Sequence, residues 1–341
     1  MTMMTRRAAV GSGLAAAALV RPRAARAQEH TFRFASLTPE GGYVHAQHLV
    51  PFKEAVERDS DGRILVDLQP AGVFGKSQQT HQLVESGVLD MCWTVQGYTS
   101  GRFPQSSVVE LPFLYETAED GTRILMGMFE EGLFERDYGS VKILALYTHR
   151  PYGLFTTERE VRTVEDMAGL KVRTPSAIIG DTLTAVGAVP VGLPVGEMAE
   201  NLRRGVIEGS VFPFEAIALF GLEDQFRSLT DLKMAAPRFI VAMNRARYEG
   251  LPEDLRAVID EHSGTAMAMR IATGLDAEEQ AVKARYAAAG EVPVIDLDPM
   301  VREALIERSA PAIEAWVAST AADGVDAEGL LARAREMAAG S

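Results

Sequence analysis

The sequence predicts an α/β protein built as two related lobes. Three observations predict it: short apolar runs alternate with longer helical patterns from Thr31 onward, one helix-glycine-strand passage occurs twice, and a late helical stretch is too long for one small domain.

The apolar runs that read as strands are 31–36, 63–69, 88–95, 141–147, 154–157, 170–174, 189–193 and 207–212, and helical patterns fall between them at 42–58, 78–86, 118–131, 177–186 and 197–204. The repeated passage is Gln82-Leu83-Val84-Glu85-Ser86-Gly87-Val88-Leu89-Asp90 and Glu200-Asn201-Leu202-Arg203-Arg204-Gly205-Val206-Ile207-Glu208. Glycine at each junction can take the left-handed conformation that ends a helix. Leu251-Pro252-Glu253-Asp254 then places proline at a first helical position and acids where the helix dipole favours them. Leu255, Val258, Ile259, His262, Ala266 and Met269 continue at three-and-four spacing, and Gly290 is the stop after Ala289. Unbroken, about 38 residues make a rod of roughly 57 Å, which would lie along both lobes unless Gly264 or Gly274 kinks or divides it. An amphipathic segment over 299–319 is expected to close the fold.

Residues 1–27 are read apart from the fold. Arg6 and Arg7 precede an apolar run, Ala8 to Val20, and Ala25-Arg26-Ala27 puts small residues at −3 and −1 of a cleavage point after Ala27. This is the order of an export signal, expected to be removed on delivery to the periplasm. As a helix the run would be only about 20 Å long, too short to span a bilayer core of roughly 30 Å. The paired arginines point to the twin-arginine route. Ala8-Ala9-Val10 lack the usual bulky residues, which leaves the general secretory route open.

The formal net charge is −13, and it becomes −18 when the five arginines of residues 1–27 leave. Such an excess of carboxylates argues against a nucleic acid or an anionic membrane surface as partner. An anionic ligand must therefore be met by a local positive group. Cys92 is the only cysteine, so no intrachain disulfide forms and stability rests on the cores.

Signals for catalysis are weak, and no catalytic residue is assigned. The histidines at 30, 45, 48, 81, 149 and 262 are scattered; only His45 and His48 share a helical face, without the His-Glu-x-x-His pattern or a third ligand, so they read as surface or packing residues and no metal is assigned. There is no Gly-x-Ser-x-Gly elbow and no phosphate-cradling glycine loop, so no cofactor is expected. One segment stands apart: Asp166-Met167-Ala168-Gly169-Leu170-Lys171-Val172-Arg173-Thr174-Pro175 puts a basic residue at the end of a short strand, just before a helix. Ligands of α/β domains bind outside the carboxyl ends of strands, and a guanidinium there can grip a carboxylate through two parallel hydrogen bonds. On spacing alone, Arg173 would more often be a surface salt-bridge residue than a ligand contact.

From Phe32 to about Trp316 the chain resembles the DctP-type solute-binding subunit of TRAP (tripartite ATP-independent periplasmic) transporters. The resemblance rests on motifs in that family's order: Asp67-Leu68-Gln69-Pro70-Ala71-Gly72-Val73-Phe74-Gly75, Glu85-Ser86-Gly87-Val88-Leu89-Asp90, Phe103-Pro104 with Glu110-Leu111-Pro112-Phe113, Gly169-Leu170-Lys171-Val172-Arg173-Thr174-Pro175, Val186-Gly187-Ala188-Val189-Pro190-Val191, and Pro194-Val195-Gly196-Glu197. It implies a two-lobed periplasmic binding protein with a mixed sheet in each lobe, crossing hinge strands and a long helix spanning both lobes. The expected lobes are 28–150 with about 237–275, and 151–236 with about 276–341. The resemblance also implies that Arg173 binds the carboxylate of a small organic acid, that the lobes close over it, and that the loaded protein docks on TRAP permease subunits. Monomer and homodimer both stay open.

Two departures from the family bear on the ligand. Phe212 stands where many relatives carry a polar residue, often asparagine, and Gly153 where some carry histidine or arginine. Their loss points to a less polar pocket, so a monocarboxylate with an apolar or aromatic body is as plausible as a dicarboxylate. Trp93, Phe212, Phe214 and Tyr43 are candidates for its lining, each equally able to be core. Arg150 is a candidate second anion contact, offset from the family's usual position. The rivals are a binding protein serving a sensor kinase or chemoreceptor, which would share the fold, and an exported hydrolase or lyase.

Overall fold

The computed structural model describes residues 28–290 and 292–340; the export signal expected over residues 1–27 lies outside them. In chain order the strands are β1 (His30–Ala35), β2 (Ile64–Gln69), β3 (Met91–Val95), β4 (Val141–Thr148), β5 (Gly153–Thr156), β6 (Lys171–Thr174), β7 (Val189–Gly192), β8 (Gly209–Phe212), β9 (Ser228–Asp231), β10 (Arg238–Asn244) and β11 (Val294–Asp296). They form two sheets, ordered β2-β1-β3-β10-β4 and β11-β9-β5-β8-β6-β7. Both are mixed. In the first, β1 is parallel to β2 and β3 while β10 runs antiparallel to β3 and β4. In the second, β6 is parallel to β7 and β8 while β5 runs antiparallel to β8 and β9.

The sheets are built alike, and the repeated sequence passage marks the correspondence. Helix Thr80–Glu85 passes through Gly87 (φ 74°) toward β3, and helix Met198–Arg203 passes through Gly205 (φ 67°) toward β8. Each is the last step of a parallel three-strand unit. Both glycines sit in the left-handed region, where a side chain is strained. One core gathers around the first sheet, including Phe32, Met91, Leu144, Val241 and Ile271. Successive residues of a strand point to opposite faces, so Leu154 and Val211 join one cluster of the second lobe while Phe155 and Phe212 join another.

The chain crosses between the sheets from β4 to β5 and back from β9 to β10. Tyr152 N–H donates to the Ala235 carbonyl at 2.9 Å, tying the two crossing segments together. The expected rod is divided into helices Glu253–Glu261 and Gly264–Ala289. Gly264 (φ 72°) makes the break, whereas Gly274 continues within the helix; Pro252 sits at the N-cap rather than inside the first turn. The second of these helices still spans both lobes: Met267, Ile271 and Leu275 pack in the first-lobe core and Val282 in the second.

Two acids on this helix, three residues apart and so on one face, each hold a different lobe. Asp276 accepts hydrogen bonds from the backbone N–H groups of Ala118 and Glu119, both at 3.0 Å, at the start of the first-lobe helix Ala118–Glu130. Glu279 accepts from Phe214 at 2.9 Å and Glu215 at 3.0 Å, in the second lobe. A carboxylate at a helix N-terminus satisfies orphan donors and complements the dipole.

The C-terminal stretch departs from expectation. Helix Pro299–Ala322 leaves the second lobe, where Leu305 is core, and brings Trp316 into the first-lobe core, its Nε1 donating to Ser107 Oγ at 2.7 Å. A further helix, Ala327–Ala339, closes the fold, with Leu330 and Ala334 in the first-lobe core.

Candidate functional site

The carboxyl ends of β3 in one lobe and of β6 and β8 in the other face a common cleft, as expected for open α/β sheets. From the first lobe Tyr43, Trp93, Tyr98 and Phe239 line it; from the second come Arg173, Phe212, Glu215 and Phe220; His149 and Tyr152 line it from the crossing.

Arg173 is the next-to-last residue of β6, beside Ser210 of β8 and Val191 of β7. Thr174 and Pro175 follow, and Ser176 caps helix Ala177–Ala185 by accepting from Ile179 N–H, fixing the turn beyond the arginine. The guanidinium is only 1% exposed. Its Nε donates to the Leu193 carbonyl at 2.9 Å and its Nη2 to Tyr98 Oη at 3.2 Å. No acid lies within salt-bridge distance of it among the described residues, and its other N–H groups meet no partner there. Burying a charge without a counter-charge is expensive. The phenol of Tyr98 also accepts from Val195 N–H at 3.0 Å, so one first-lobe hydroxyl is bonded twice to the second lobe. Beside it, Gly97 comes so near the opposite lobe that a Cβ would lie 2.4 Å from Ser176 Cβ and 2.7 Å from the Pro175 carbonyl oxygen.

The aromatic wall is braced from behind. Trp93 Nε1 donates to Tyr147 Oη at 2.6 Å, and the Tyr147 ring stacks on Phe239 with centroids 5.0 Å apart and planes at 7°. Phe212 lies under the Arg173 guanidinium, 6.0 Å from its ring centroid. Gly153 and Phe212, the two departures noted in the sequence, are cross-strand partners on β5 and β8. A Cβ at Gly153 would already meet Phe214 at 3.1 Å and the Thr230 carbonyl oxygen at 3.2 Å, so the space a longer side chain would need is taken.

Of the residues expected in the site, Arg173, Phe212, Trp93 and Tyr43 are brought together on the cleft wall. Phe214 is not: the chain leaves β8 after Phe212, so the two-residue repeat that would put both rings on one face stops there, and the Phe214 ring is core, edge-on to Phe155 at 5.0 Å. Arg150 is not either; it sits in the crossing, where its charge acts on Asp276 and Glu279. Neither Phe214 nor Arg150 lines the cleft, which corrects both expectations. His45 and His48 also part: His45 Nδ1 lies 2.8 Å from Ser36 Oγ, while His48 packs on Tyr43. Among the described residues no group of three or more histidines, cysteines or acids could hold a metal.

Sequence reasoning missed Tyr98, His149 and Glu215. Tyr98 was open to the rule that found Arg173, since it follows the carboxyl end of β3. Glu215 is a lone acid in the apolar stretch 211–220, and that was its signal. It is nearly buried, at 10% side-chain exposure, and burial together with Glu279 and Glu278 pushes its carboxyl up to about 8. His149, whose Nε2 lies 3.8 Å from Glu215 Oε1, is pushed down to about 3 by burial. Burial thus favours the neutral form of both, and among the described residues Arg173 is the fixed charge on the cleft wall.

Comparison with known proteins supplies a context. The family model described as bacterial extracellular solute-binding protein, family 7, matches residues 34–320. A marine metagenome TRAP solute-binding protein specific for aromatic acid ligands, solved with meta-hydroxyphenylacetate, superposes with a TM-score of 0.87 at 30% identity, covering 91% of this chain and 99% of that one. A TRAP solute-binding protein from Rhodoferax ferrireducens, solved with copurified benzoate, gives 0.86 at 28% identity, covering 91% and 97%. The ectoine-binding periplasmic protein TeaA of Halomonas elongata is 26% identical over 283 residues, 80% of this chain and 81% of that protein.

Proposed function

The chain belongs to the bacterial extracellular solute-binding protein family 7, and from that premise we propose that it captures a small carboxylate with an aromatic or otherwise apolar body. One observation carries the reading: a buried guanidinium, with no acidic partner among the described residues, stands on the wall of a cleft lined mainly by aromatic and other apolar side chains. The ligand's carboxylate is the counter-charge that would balance it. Away from water the pair works at low effective dielectric, where attraction is stronger. The aromatic acids bound by two similar structures fit such a cleft better than a dicarboxylate, which would need a second cation.

Capture works by lobe closure. Tyr98 reaches from the first lobe to Arg173 and Val195 of the second, so the contact that shuts the cleft also shapes the anion site. A ligand touching both lobes then shifts the population toward the closed form. The moving bodies are 28–150 with about 237–275, and 151–236 with 276 to about 310; the last helices travel with the first lobe, whose core they complete. The export signal is removed after Ala27, the protein works in the periplasm, and the loaded form delivers its acid to a TRAP-type permease. It performs no turnover, so binding is stoichiometric and reversible. No helix among the described residues is long and apolar enough to cross a membrane.

A thermal-shift screen of organic acids tests this. A ligand at 100 times its dissociation constant stabilises by about 2.7 kcal/mol. Arg173→Ala should abolish the shift, since truncating a buried charged partner costs about 2–5 kcal/mol, or roughly 30- to 4,000-fold in affinity. An undiminished shift in that variant removes Arg173 from the site.

A further inference from the structure

The cleft has a second polar position, which the carboxylate anchor does not use. Several polar groups on its wall are consumed within the protein: Trp93 Nε1 by Tyr147, the Thr38 hydroxyl by the Pro39 carbonyl, and Tyr98 Oη by Arg173 and Val195. The hydroxyls of Tyr43 and Tyr152 meet no partner among the described residues, and neither do the carboxyl of Glu215 and the imidazole of His149, which adjoin one another. Their nearest approach is 3.8 Å, too long for a hydrogen bond, and neither side chain has another partner among the described residues. Buried polar groups are nearly always paired, so two adjacent unmet ones on a cavity wall ask for a partner from the cavity.

Glu215 is also held in place. Its own N–H and that of Phe214 are bonded to the Glu279 carboxylate, and Pro213 precedes them, so the loop cannot readily turn the side chain away. We propose that Glu215 and His149 form a specificity subsite for a neutral hydrogen-bonding substituent, a hydroxyl, on the ligand whose carboxylate is held by Arg173. This rests on the reading of Arg173 as the anchor and adds the substrate class: a hydroxylated aromatic acid.

The charge environment selects a hydroxyl over a cation. An ammonium group would require Glu215 as a carboxylate, a form that burial and the neighbouring Glu278 and Glu279 oppose. A neutral carboxyl both donates and accepts, and so does a hydroxyl; a neutral imidazole offers one further donor or acceptor. An aromatic acid lacking the substituent would enter but leave both groups unpaired.

Isothermal titration of the full mature protein with benzoate, its three hydroxybenzoate isomers and 3-(aminomethyl)benzoate tests the subsite. At least one hydroxybenzoate should bind about tenfold more tightly than benzoate, the worth of one well-made hydrogen bond. Glu215→Leu should erase that preference, so that within the variant no hydroxybenzoate binds more tightly than benzoate, while Glu215→Gln, which keeps a donor and an acceptor, should retain most of it. Thermal denaturation confirms that each variant is folded, and Glu215→Gln alone decides the matter if the leucine variant is not, because Glu215→Gln should then still rank the isomers as wild type does. Binding of benzoate with no gain for any isomer overturns the subsite and leaves the anchor standing, as does tightest binding of the aminomethyl compound or a preference that survives Glu215→Leu. Binding of none of these acids while aliphatic acids bind through Arg173 also overturns it; loss of every acid sinks the anchor and the subsite together.

Discussion

Gly97→Ala isolates the contact between lobes from everything else in the molecule. Gly97 is not in the left-handed region, so its own lobe can accept a methyl group there. Its Cβ, however, would stand 2.4 Å from Ser176 Cβ and 2.7 Å from the Pro175 carbonyl oxygen, both in the opposite lobe. Carbon atoms in contact settle about 3.5–4.0 Å apart, so the lobes must separate there by roughly 1 Å. Backbone forms part of the obstacle, and no side-chain rotation relieves it. Overpacking of this kind typically costs about 1–3 kcal/mol, which becomes ~5- to ~150-fold in dissociation constant if ligand binding requires this contact. The assay pairs titration of a bound acid with thermal unfolding of the free protein: affinity should fall by that factor while the free protein's midpoint barely moves. Wild-type affinity would refute the reasoning, and so would a lowered midpoint with affinity intact, because the clash would then belong to folding and not to capture.

Other expectations follow from the same geometry. Tyr98→Phe removes the acceptor for Arg173 Nη2 and Val195 N–H; an unmet buried donor costs about 1–3 kcal/mol, so titration should show ligand affinity weakened ~5- to ~150-fold, mostly through faster release in stopped-flow. Stability should also depend on pH in a definite sense. Glu215 and Glu279 lie near 8 and 7 in the folded protein against 4.5 when free, so between those limits the folded state holds protons that the unfolded chain has lost, and stability falls as pH rises. His149 and His81, lowered to about 3 and about 4, give the opposite slope below 6.5. The clean window is therefore pH 6.5 to 8, where calorimetry should find a falling midpoint and a shallower fall in Glu215→Gln; a rising midpoint in wild type would contradict the assignment.

The parts of the fold legible in the sequence were those with local signals. Parallel strands buried on both faces are continuous apolar runs, and the paired junction glycines Gly87 and Gly205 announced two similar units. The strands passed over have different reasons. β9 holds a single apolar residue, Leu229, and β11 is three residues long, so neither makes an apolar run. Phe239 to Met243 in β10 is a clear apolar run, but its place between β3 and β4 is set by a return crossing that no local pattern encodes. Arg173, Phe212, Trp93 and Tyr43 were found because the carboxyl end of a strand, or an aromatic near one, can be read along the chain. Phe214 was misplaced because two residues apart on a strand it would share a face with Phe212, whereas β8 ends at Phe212 and the Phe214 ring packs on Phe155. Glu215 was overlooked because its near-burial comes from Glu279, 64 residues away, whose hydrogen bonds hold its loop.

Asp276 and Glu279 bear on how such a molecule can move. Each grips the other elements of a different lobe through two backbone N–H groups, and less than one turn of a single helix separates them. Any displacement that preserves those four bonds is confined to a swivel about that turn, like two jaws on one pin, and sliding of one half past the other is excluded. The stroke is therefore written into the axle, and Asp276→Asn would loosen one of its bearings without touching what the jaws hold.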